Sequence, residues 1–368
     1  MNAPFRHEDA AGWDVRARAP RAVLLLAHAL QAPYRVLRCA AAAGAKVYVF
    51  GAAQARGLAA SRYCAGFRDF TFDPAPNEEI AVARIEAFAQ AHAIDMILPA
   101  DGVTTRFLAM VRTRLTTPVF PIPDLATFDA LATKDRFMDL CRAHDIRHPQ
   151  GRLLANREAL TAILANDCVR LPAILKPINR WGGVGVVKID RNNAGAVAAT
   201  IDYAPILIQD YIEGRDRSIS IFAREGRVAK QITYCYPDGA FTFAREPELA
   251  RIVGGIARDL RLDGVFNFDA RIEADGTVWL LECNPRFFFT MDAAMIAGAN
   301  FAKIENAGDT VIGVPDCELR QPEALLKHLA CGRRPNRLDC KMLIHWLKDP
   351  VYFGRAIARR RRAEEPLG

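Results

Sequence analysis

The chain has 368 residues, of which 51% are hydrophobic and 25% are charged, and these values indicate a globular protein with room for two or three domains. The formal net charge of +7 is mild, so it favours at most an anionic ligand or an anionic surface. We find no internal repeat and no low-complexity tract in the sequence.

Nine cysteines are scattered along the chain without a Cys-x-x-Cys pair. We therefore expect reduced thiols in a cytoplasmic protein, and neither a disulfide framework nor a zinc site. Glu8, Asp9 and Asp14 occur where a signal peptide would have a basic segment and an apolar core, so no signal peptide is expected. No apolar run approaches the length of about 18 residues that a transmembrane helix needs.

The first third of the chain alternates short apolar runs with helical patterns. We predict a flexible tail over residues 1–20 and an N-terminal domain over residues 21–123. Strands are predicted near 23–26, 46–50, 95–98 and 119–120, and helices near 34–43, 78–91 and 104–112. This alternation predicts a doubly wound α/β domain. Ligands bind beyond the carboxyl ends of the strands in such sheets, so we expect the loops 27–28 and 100–105 to lie near a substrate.

The middle of the chain mixes helices and strands differently. After a boundary near residue 123, residues 124–208 are predicted to form linking helices and a small α+β lobe. Residues 209–320 are predicted to form a larger lobe. The predicted elements are helices starting near 123 and 133, a helix over 157–165, strands at 173–175, 186–189, 206–208, 218–222 and 227–230, and a helix over 247–260.

Residues 321–368 are predicted to form a basic helical tail. Arg355 and the four arginines at 359–362 are offset only by Glu364 and Glu365. A membrane-surface or nucleic-acid interface is one interpretation of this composition. A solvated terminal helix is the interpretation we favour from the sequence, because aromatic and basic residues do not continue to alternate elsewhere.

A hairpin over residues 264–286 is the most informative stretch of the sequence. Two runs of alternating apolar residues flank Asp275-Gly276, which is a strong signal for a tight β-turn. A two-residue turn places Asp269 directly opposite Glu282, and the period of two places Arg271 on the same face. Asn267 is then opposite Asn284. The other face is predicted to be core and contains Phe268, Ala270, Ile272, Trp279, Leu281 and Cys283. A three-residue turn would shift this register by one.

Two carboxylates that face each other across a hairpin repel by roughly 0.2–1 kcal/mol, so this pair is expected to hold a cation. Asp269, Glu282 and the amide of Asn284 offer oxygen ligands of the kind that Mg²⁺ or Mn²⁺ prefers. A surface hairpin with a solvated polar face is the alternative interpretation.

A lysine and a glycine-rich loop precede this hairpin. Lys176-Pro177 follows a predicted strand, and Gly182, Gly183 and Gly185 come shortly after it. Glycines allow backbone N–H groups to approach phosphate oxygens, and a lysine adds a positive charge. The order differs from a Walker A loop, in which the lysine follows the glycines. A glycine-rich turn between two strands is the alternative interpretation.

The segment from Gln209 to Asp216 follows the next predicted strand. A strand that passes into a linker offers backbone N–H and C=O groups to an adenine edge, and a carboxylate a few residues later suits two ribose hydroxyls. An acidic surface loop explains the same residues equally well.

Taken together, the order of these motifs resembles the ATP-grasp superfamily. The resemblance covers about residues 21–300, and its most specific part is Asp269 followed by Glu282-Cys283-Asn284-Pro285-Arg286. It implies an N-terminal doubly wound α/β domain followed by a two-lobed ATP-grasp domain, that is, α/β and α+β architecture. It also implies ATP as a ligand together with Mg²⁺ or Mn²⁺, small-molecule carboxylate and amine substrates, no nucleic-acid partner, and dimers among similar proteins.

The resemblance also assigns roles to individual residues. Lys134 and Lys176 correspond to the nucleotide-phosphate lysines, and Gly182, Gly183 and Gly185 to the flap over the phosphates. Gln209, the backbone of Asp210 and Ile212, and Leu281 are expected near adenine, and Asp216 near ribose. The metal ligands would be Asp269, Glu282 and Asn284. The catalytic residues would be Arg286, Lys176 and Arg271.

The function that this resemblance implies is a ligase that activates a carboxylate as an acylphosphate and joins it to an amine. Gln209 and Asp216 depart from the glutamates that are usual at their positions, and Asn267 stands where some ligases have an arginine. The departures at Gln209 and Asp216 keep open the alternative of a non-catalytic ATP-binding module. A kinase that phosphorylates a small molecule on the same scaffold is a further alternative.

Overall fold

The computed structural model describes residues 20–72, 78–166, 168–178, 180, 183–304 and 310–354. The tail predicted over residues 1–20 lies almost entirely outside these ranges, as do Gly182 and the arginines at 355 and 359–362.

The first sheet is parallel, has four strands and follows the order β3-β2-β1-β4. Its elements are β1 (Ala22–Ala27), α1 (Gln31–Ala42), β2 (Lys46–Gly51), β3 (Cys64–Asp69), α2 (Glu78–Ala91), β4 (Met96–Pro99) and α3 (Gly102–Val111). Val23 and Leu25 of β1 belong to the same apolar core as α1, whereas Leu24 and Leu26 belong to the core with α2 and α3. Helices therefore cover both faces, and the predicted doubly wound arrangement is confirmed.

Two helices connect the first sheet to a second, antiparallel sheet. They are α4 (Leu125–Ala132) and α5 (Lys134–Ala143), and the Asp124 carboxylate caps α4 by accepting the Thr127 N–H at 2.9 Å. The second sheet has the order β5-β8-β6-β7. Its elements are β5 (Gly151–Leu154), α6 (Arg157–Ala165), β6 (Ala173–Pro177), β7 (Val187–Ile189), α7 (Ala194–Thr200) and β8 (Ile206–Asp210).

The third sheet is the largest and has the order β13-β12-β9-β10-β11-β14. Its elements are β9 (Arg215–Arg224), β10 (Arg227–Cys235), β11 (Ala240–Phe243), α8 (Pro247–Asp259), β12 (Gly264–Ile272), β13 (Val278–Asn284), α9 (Met291–Ala297) and β14 (Cys317–Arg320). Leu249 and Val253 of α8 pack with Phe268 and Leu280 in one buried core beneath this sheet. The opposite face of β12 and β13 carries the polar side chains described below.

The hairpin of β12 and β13 differs from the predicted two-residue turn. Ile272 pairs with Val278, and Glu273 N–H donates to Thr277 C=O at 2.9 Å, so the turn has three residues. This shifts the register by one near the turn, and Val278 and Leu280 are therefore buried where Trp279 and Leu281 were predicted. A β-bulge between Ala270 and Asp269 then restores the predicted register.

Four strands were not predicted from the sequence: β3, β5, β11 and β14. Three of them lie at sheet edges, where exposure weakens the alternating apolar pattern. The predicted strand at 119–120 is reduced to a single bridge between Ile97 and Val119.

Two helices follow the third sheet, α10 (Pro322–Ala330) and α11 (Arg337–Leu347). The segment after α11 packs against α1 and the connection from β2 to β3, because Asp349 accepts hydrogen bonds from Tyr34 Oη at 3.0 Å and Ser61 Oγ at 2.5 Å. The longest helix among the described residues is α2 with 14 residues, and none of the described helices could cross a bilayer.

Candidate active site

A cavity of about 280 Å³ lies between the second and third sheets. Ten of the residues predicted from the sequence line it: Lys134, Lys176, Gly183, Gln209, Asp210, Ile212, Asp269, Arg271, Leu281 and Glu282. Pro149, Ile174, Arg180 and Val186 complete the lining. The structure thus brings together residues that are up to 148 positions apart in the sequence, from Lys134 to Glu282.

Asp269 and Glu282 form the carboxylate pair of this cavity. They are direct partners across β12 and β13, as predicted. Ser218 Oγ donates to Asp269 Oδ1 at 2.6 Å, and Asn267 Nδ2 donates to the same oxygen at 3.2 Å. Burial, together with the charge of Glu282, raises the pKa of Asp269 to about 7.

Two lysines face this pair. Lys134 Nζ lies 3.3 Å from Glu282 Oε2 and donates to the Arg180 carbonyl at 2.9 Å. Burial alone would raise the pKa of Glu282, but Lys134 and Lys176 outweigh it and hold this pKa below its usual value. Lys176 is itself buried on β6, and burial lowers the pKa of its ammonium group while Glu282 opposes this change. The pair is therefore a site of high local charge density in a largely buried setting.

The other end of the cavity is formed by the end of β8 and the linker after it. Gln209 is buried, and its Nε2 donates to Pro149 C=O at 3.3 Å. Its Oε1 is a buried acceptor that has no hydrogen-bond partner among the described residues. An unpaired buried acceptor is costly, so this oxygen is suited to an incoming donor.

Backbone groups of the linker are partly engaged already. Asp210 N–H donates to Gln150 C=O at 2.8 Å, and Ile212 C=O accepts from Arg271 at 3.0 Å. Ile212 N–H makes no hydrogen bond within the described residues. Of the linker groups expected to contact adenine, this N–H therefore remains available.

The glycine loop between β6 and β7 has the backbone that a flap requires. Gly183 and Gly185 have φ of +76° and +80°, a region that other residues rarely adopt. Gly183 lines the cavity, whereas Gly185 packs near Pro177 and accepts from Tyr203 Oη at 2.7 Å through its carbonyl. Gly182 lies outside the described residues.

Asp216, which the sequence predicts near ribose, is paired with an arginine in the structure. Its carboxylate accepts from Arg271 Nε at 2.8 Å and from Arg271 Nη2 at 2.6 Å, and it is absent from the cavity lining. Asp216 is the register partner of Arg271 across β9 and β12, which explains the pairing. The guanidinium group of Arg271 is in turn committed to Asp216 and the linker.

Asn284 and Arg286 lie beyond the carboxylate pair, at the edge nearest the first sheet. Arg286 donates to Asn284 Oδ1 at 3.0 Å and to the Phe287 carbonyl at 3.1 Å. A Cβ on Gly102 would approach Arg286 to 3.2 Å, so this arginine packs against the start of α3. Burial lowers the pKa of Arg286, and Asp101 opposes this change.

Asp101 also joins the two loops that were expected near a substrate. Its Oδ2 accepts from His28 N–H at 2.7 Å and from Ala29 N–H at 3.0 Å, while its Oδ1 accepts from Thr104 N–H at 3.0 Å. The carboxyl ends of β1 and β4 therefore meet beside Arg286.

Two serines of this site, Ser218 and Ser220, are not among the residues that the sequence predicts for it. Ser218 Oγ donates to Asp269, and Asn267 Oδ1 accepts from Ser220 Oγ at 2.8 Å and from Tyr234 Oη at 3.0 Å. In the sequence, the alternation Ser218-Ile219-Ser220-Ile221 indicates a strand. The hydroxyls of Ser218 and Ser220, two positions apart, lie on the face of the sheet that also carries Asp269.

The donor set fits a magnesium ion that arrives with a phosphate ligand. Among the described residues, no group of three or more His, Cys, Asp or Glu side chains is placed to hold a metal ion, so the site offers two carboxylates rather than a full protein cage. Mg²⁺ is commonly bound in this way, by one or two carboxylates and by substrate phosphates. Burial first, and the charge of Glu282 second, raise the pKa of Asp269, and a cation between the two carboxylates would oppose both effects.

A larger cavity, of about 680 Å³, lies between α5, α8 and the turn of the hairpin. Four of its charged residues form ion pairs at the surface, Arg251 with Glu248 at 2.7 Å and Arg258 with Asp259 at 3.4 Å. It contains none of the convergent buried groups found in the smaller cavity.

Comparison with known proteins agrees with this geometry. Residues 202–321 match the family described as ATP-grasp in the biosynthetic pathway with Ter operon. A segment of 227 residues, 54% of the chain, is 27% identical to the arginine-specific large chain of carbamoyl phosphate synthase from Geobacillus stearothermophilus. The chain spans about a fifth of the length of that relative, because the match covers 21% of it.

Solved structures share the fold at low sequence identity. An L-amino acid ligase from Bacillus licheniformis superposes with a TM-score of 0.58 and 17% identity, over 78% of this chain and 73% of the other. A carboxyaminoimidazole ribonucleotide synthase from Aspergillus clavatus, solved in complex with ATP, superposes with a TM-score of 0.60 and 14% identity, over 89% of this chain and 98% of the other.

Proposed function

Because the chain belongs to the ATP-grasp superfamily, we propose that it is an ATP-dependent ligase that activates a carboxylate and joins it to an amine. One observation carries this proposal. Lys134 and Lys176 converge on the opposed carboxylates of Asp269 and Glu282 in a single cavity between two sheets. If the hairpin were only a solvated surface element, neither lysine would need to be buried beside it.

The nucleotide would lie along this cavity with its phosphates at the lysines. Lys176 and Lys134 would bind phosphate oxygens. When these lysines contact phosphate instead of Glu282, a cation would have to compensate the negative charge of the two carboxylates. A Mg²⁺ ion held by Asp269, Glu282 and Asn284 would neutralise charge on the phosphates during transfer. Gly183 and Gly185 give the loop above them the backbone freedom to close.

Adenine would occupy the opposite end. The unpaired Oε1 of Gln209 would accept from an exocyclic amino group, and Ile212 N–H would donate to a ring nitrogen. Gln209 would thus accept the adenine hydrogen bond with a neutral amide oxygen, at a position where a glutamate is usual in the superfamily. Ribose would be held by groups other than Asp216, whose carboxylate is paired with Arg271.

The carboxylate substrate would bind where Arg286 meets the loops of the first sheet. Arg286 is charged, half-buried and adjacent to the carboxylate pair, and it suits a substrate carboxylate or the transferred phosphoryl group. The substrate carboxylate would attack the γ-phosphate in line, giving an acylphosphate and ADP. An amine would then attack the acyl carbon and release phosphate, so no general-base histidine is required.

The test is a panel of amino acids and other small carboxylates, incubated with purified protein, Mg²⁺ and ATP. We expect ADP and phosphate in equal amounts, formed only when a carboxylate and an amine are both present, together with an amide identified by mass spectrometry. A stable phosphorylated product without amide would instead support a kinase. Tight ATP binding without turnover across the panel would support a binding module.

Glu282→Gln is the variant that reports on the site, and Glu248→Gln is its control on the surface of α8. We expect turnover of the first variant to fall by about a hundredfold or more and that of the control to stay near wild type. Equal activity of Glu282→Gln and the wild type would contradict the proposed role of the pair.

A further inference from the structure

The helices α10 and α11 and the residues just after them expose a concentration of apolar side chains. Twelve large apolar residues of the described chain are substantially exposed, and six of them lie between residues 326 and 351. They are Leu326, Leu329, Leu343, Ile344, Leu347 and Val351. Leu326 and Leu347 are 65% and 66% exposed, which is unusual for leucines of a folded helix unless a partner covers them.

On α11 these residues share one side of the helix. Leu347 follows Ile344 by three positions and Leu343 by four, so the three residues form a stripe along one side of the axis. Arg337, Lys341 and Lys348 are also exposed and follow the same spacing beside this stripe. Met342 and Asp339 of the inner side are fully buried. We call the exposed apolar and cationic residues of α10 and α11 the basic apolar face; they are Leu326, Lys327, Leu329, Arg337, Lys341, Leu343, Ile344, Leu347 and Lys348.

The acidic residues of this region are turned inward. Asp339 accepts from Arg320 at 2.9 Å and caps α11, and Asp349 accepts from Tyr34 and Ser61. Both aspartates are fully buried. Between residues 322 and 350 the exposed charged residues are therefore six cations and one acid; they are Lys327, Arg333, Arg334, Arg337, Lys341, Lys348 and Glu323. The sequence that follows adds five more arginines against two glutamates.

We propose that the basic apolar face docks onto the surface of an anionic lipid bilayer. An amphipathic helix with apolar residues on one side and lysines and arginines beside them gains from both apolar insertion and attraction to anionic headgroups. A second copy of the chain would bring like charges together across the contact, which is unfavourable. A nucleic acid would pair with the cations but would leave Leu343, Ile344 and Leu347 exposed to water.

This docking would leave the candidate active site open. None of the residues that line the cavity between the second and third sheets lies on α10 or α11. α11 is instead tied to the third sheet through Asp339 and Arg320, and the segment just after it is tied to α1 through Asp349 and Tyr34. The bilayer would therefore meet the protein at a surface separate from the nucleotide cleft.

The experiment is co-sedimentation of the full-length protein with vesicles of phosphatidylcholine alone and of phosphatidylcholine with phosphatidylglycerol. We expect binding to the vesicles that contain phosphatidylglycerol only, weakened by added salt. The double variant Ile344→Ser/Leu347→Ser should need about tenfold more lipid or more for half-maximal binding. Lys341→Gln/Lys348→Gln should also weaken binding. The control Ile80→Ser, which changes an apolar residue 59% exposed on α2, should bind as the wild type does.

Several results would overturn the proposal. They are the absence of binding to anionic vesicles, equal binding by Ile344→Ser/Leu347→Ser and the wild type, and equal losses in the Ile80→Ser control. A dimer in light scattering that Ile344→Ser/Leu347→Ser dissociates, without vesicle binding, would assign the face to a second copy. Tight binding to duplex DNA that depends on the lysines but not on the leucine and isoleucine would assign it to nucleic acid. Because all the changed residues are exposed, the melting temperature serves as the check that each variant is folded.

Discussion

Asp269 and Glu282 face each other across β12 and β13 although the turn between these strands is one residue longer than Asp275-Gly276 alone would make it. The bulge at Leu281 compensates for the longer turn. It also turns Leu281 towards the nucleotide cavity, while its neighbour Leu280 is buried in the core beneath the sheet.

Because of this bulge, we predict that substitutions at two adjacent leucines affect different properties, stability at Leu280 and ATP binding at Leu281. Leu280→Ala should lower the free energy of unfolding by about 2–5 kcal/mol, because it empties a fully buried site. Leu281→Ala should cost much less stability but should weaken ATP binding several-fold. Urea unfolding and calorimetric titration measure the two quantities. If Leu281→Ala proved the more destabilising of the two, the uninterrupted two-residue register would be right and the bulge wrong.

Lys176 is predicted to serve both ATP binding and stability. Its ammonium group is buried near Glu282 and, with Lys134, offsets the burial of that carboxylate, so replacing it with methionine leaves the carboxylate pair less compensated. We expect Lys176→Met to bind ATP at least about tenfold more weakly and to have a lower melting temperature than the wild type. Lys188→Met is the control, because Lys188 is exposed and its ammonium group lies 3.7 Å from the ring of Tyr211. Comparable losses of ATP affinity in both variants would argue against a specific phosphate contact.

Asp216 is predicted to matter little for nucleotide affinity. Its side chain is 71% exposed, and its carboxylate forms an ion pair with Arg271. An exposed ion pair of this kind contributes about 0–1 kcal/mol, so Asp216→Asn should change the Kd of ATP by less than about fivefold. A loss of a hundredfold, measured by calorimetry, would restore Asp216 to the ribose role that the sequence suggested.

His345 is predicted to make stability depend on pH. Burial, with the charge of Arg38, lowers its pKa to about 4, below the usual value of 6.5. Between these two values the unfolded chain binds the extra proton, so stability falls as the pH decreases through this range and recovers above it. The loss amounts to about 3 kcal/mol at most.

The variant His345→Gln isolates this contribution, since Gln cannot titrate. Its free energy of unfolding should decrease less than that of the wild type between pH 7 and pH 4.5, measured in urea at each pH. Parallel curves for the two proteins would show that His345 is not buried in its neutral form.

The sequence predicted the elements whose patterns are strongly periodic. The buried strand β1 followed from a continuous apolar run, and the helix α8 followed from its helical pattern. The pairing of Asp269 with Glu282 was predicted from a two-residue turn, and it holds because the bulge at Leu281 offsets a turn of three residues. Edge strands such as β3 were missed because exposure on one side removes the apolar pattern on which such predictions depend.

The remaining site could not be derived from local pattern because it depends on contacts between distant strands. Ser218 reaches Asp269 only because β9 and β12 are neighbours, and Asp216 is drawn to Arg271 by the same pairing. The bulge that restores the hairpin register likewise depends on the sheet as a whole. Neither the residues of the turn nor the alternation of apolar residues along the two strands predicts this bulge.

Capture of the activated carboxylate by hydroxylamine tests the central claim most directly. With Mg²⁺, ATP and hydroxylamine in place of the amine, the account predicts a hydroxamate of the substrate carboxylate, formed in equal amount to ADP. With Glu282→Gln, the same reaction should yield hydroxamate reduced by about a hundredfold or more, whereas Glu248→Gln should yield as much as the wild type. ADP formation without hydroxamate from any carboxylate of the panel, or hydroxamate formed equally well by Glu282→Gln, would contradict it.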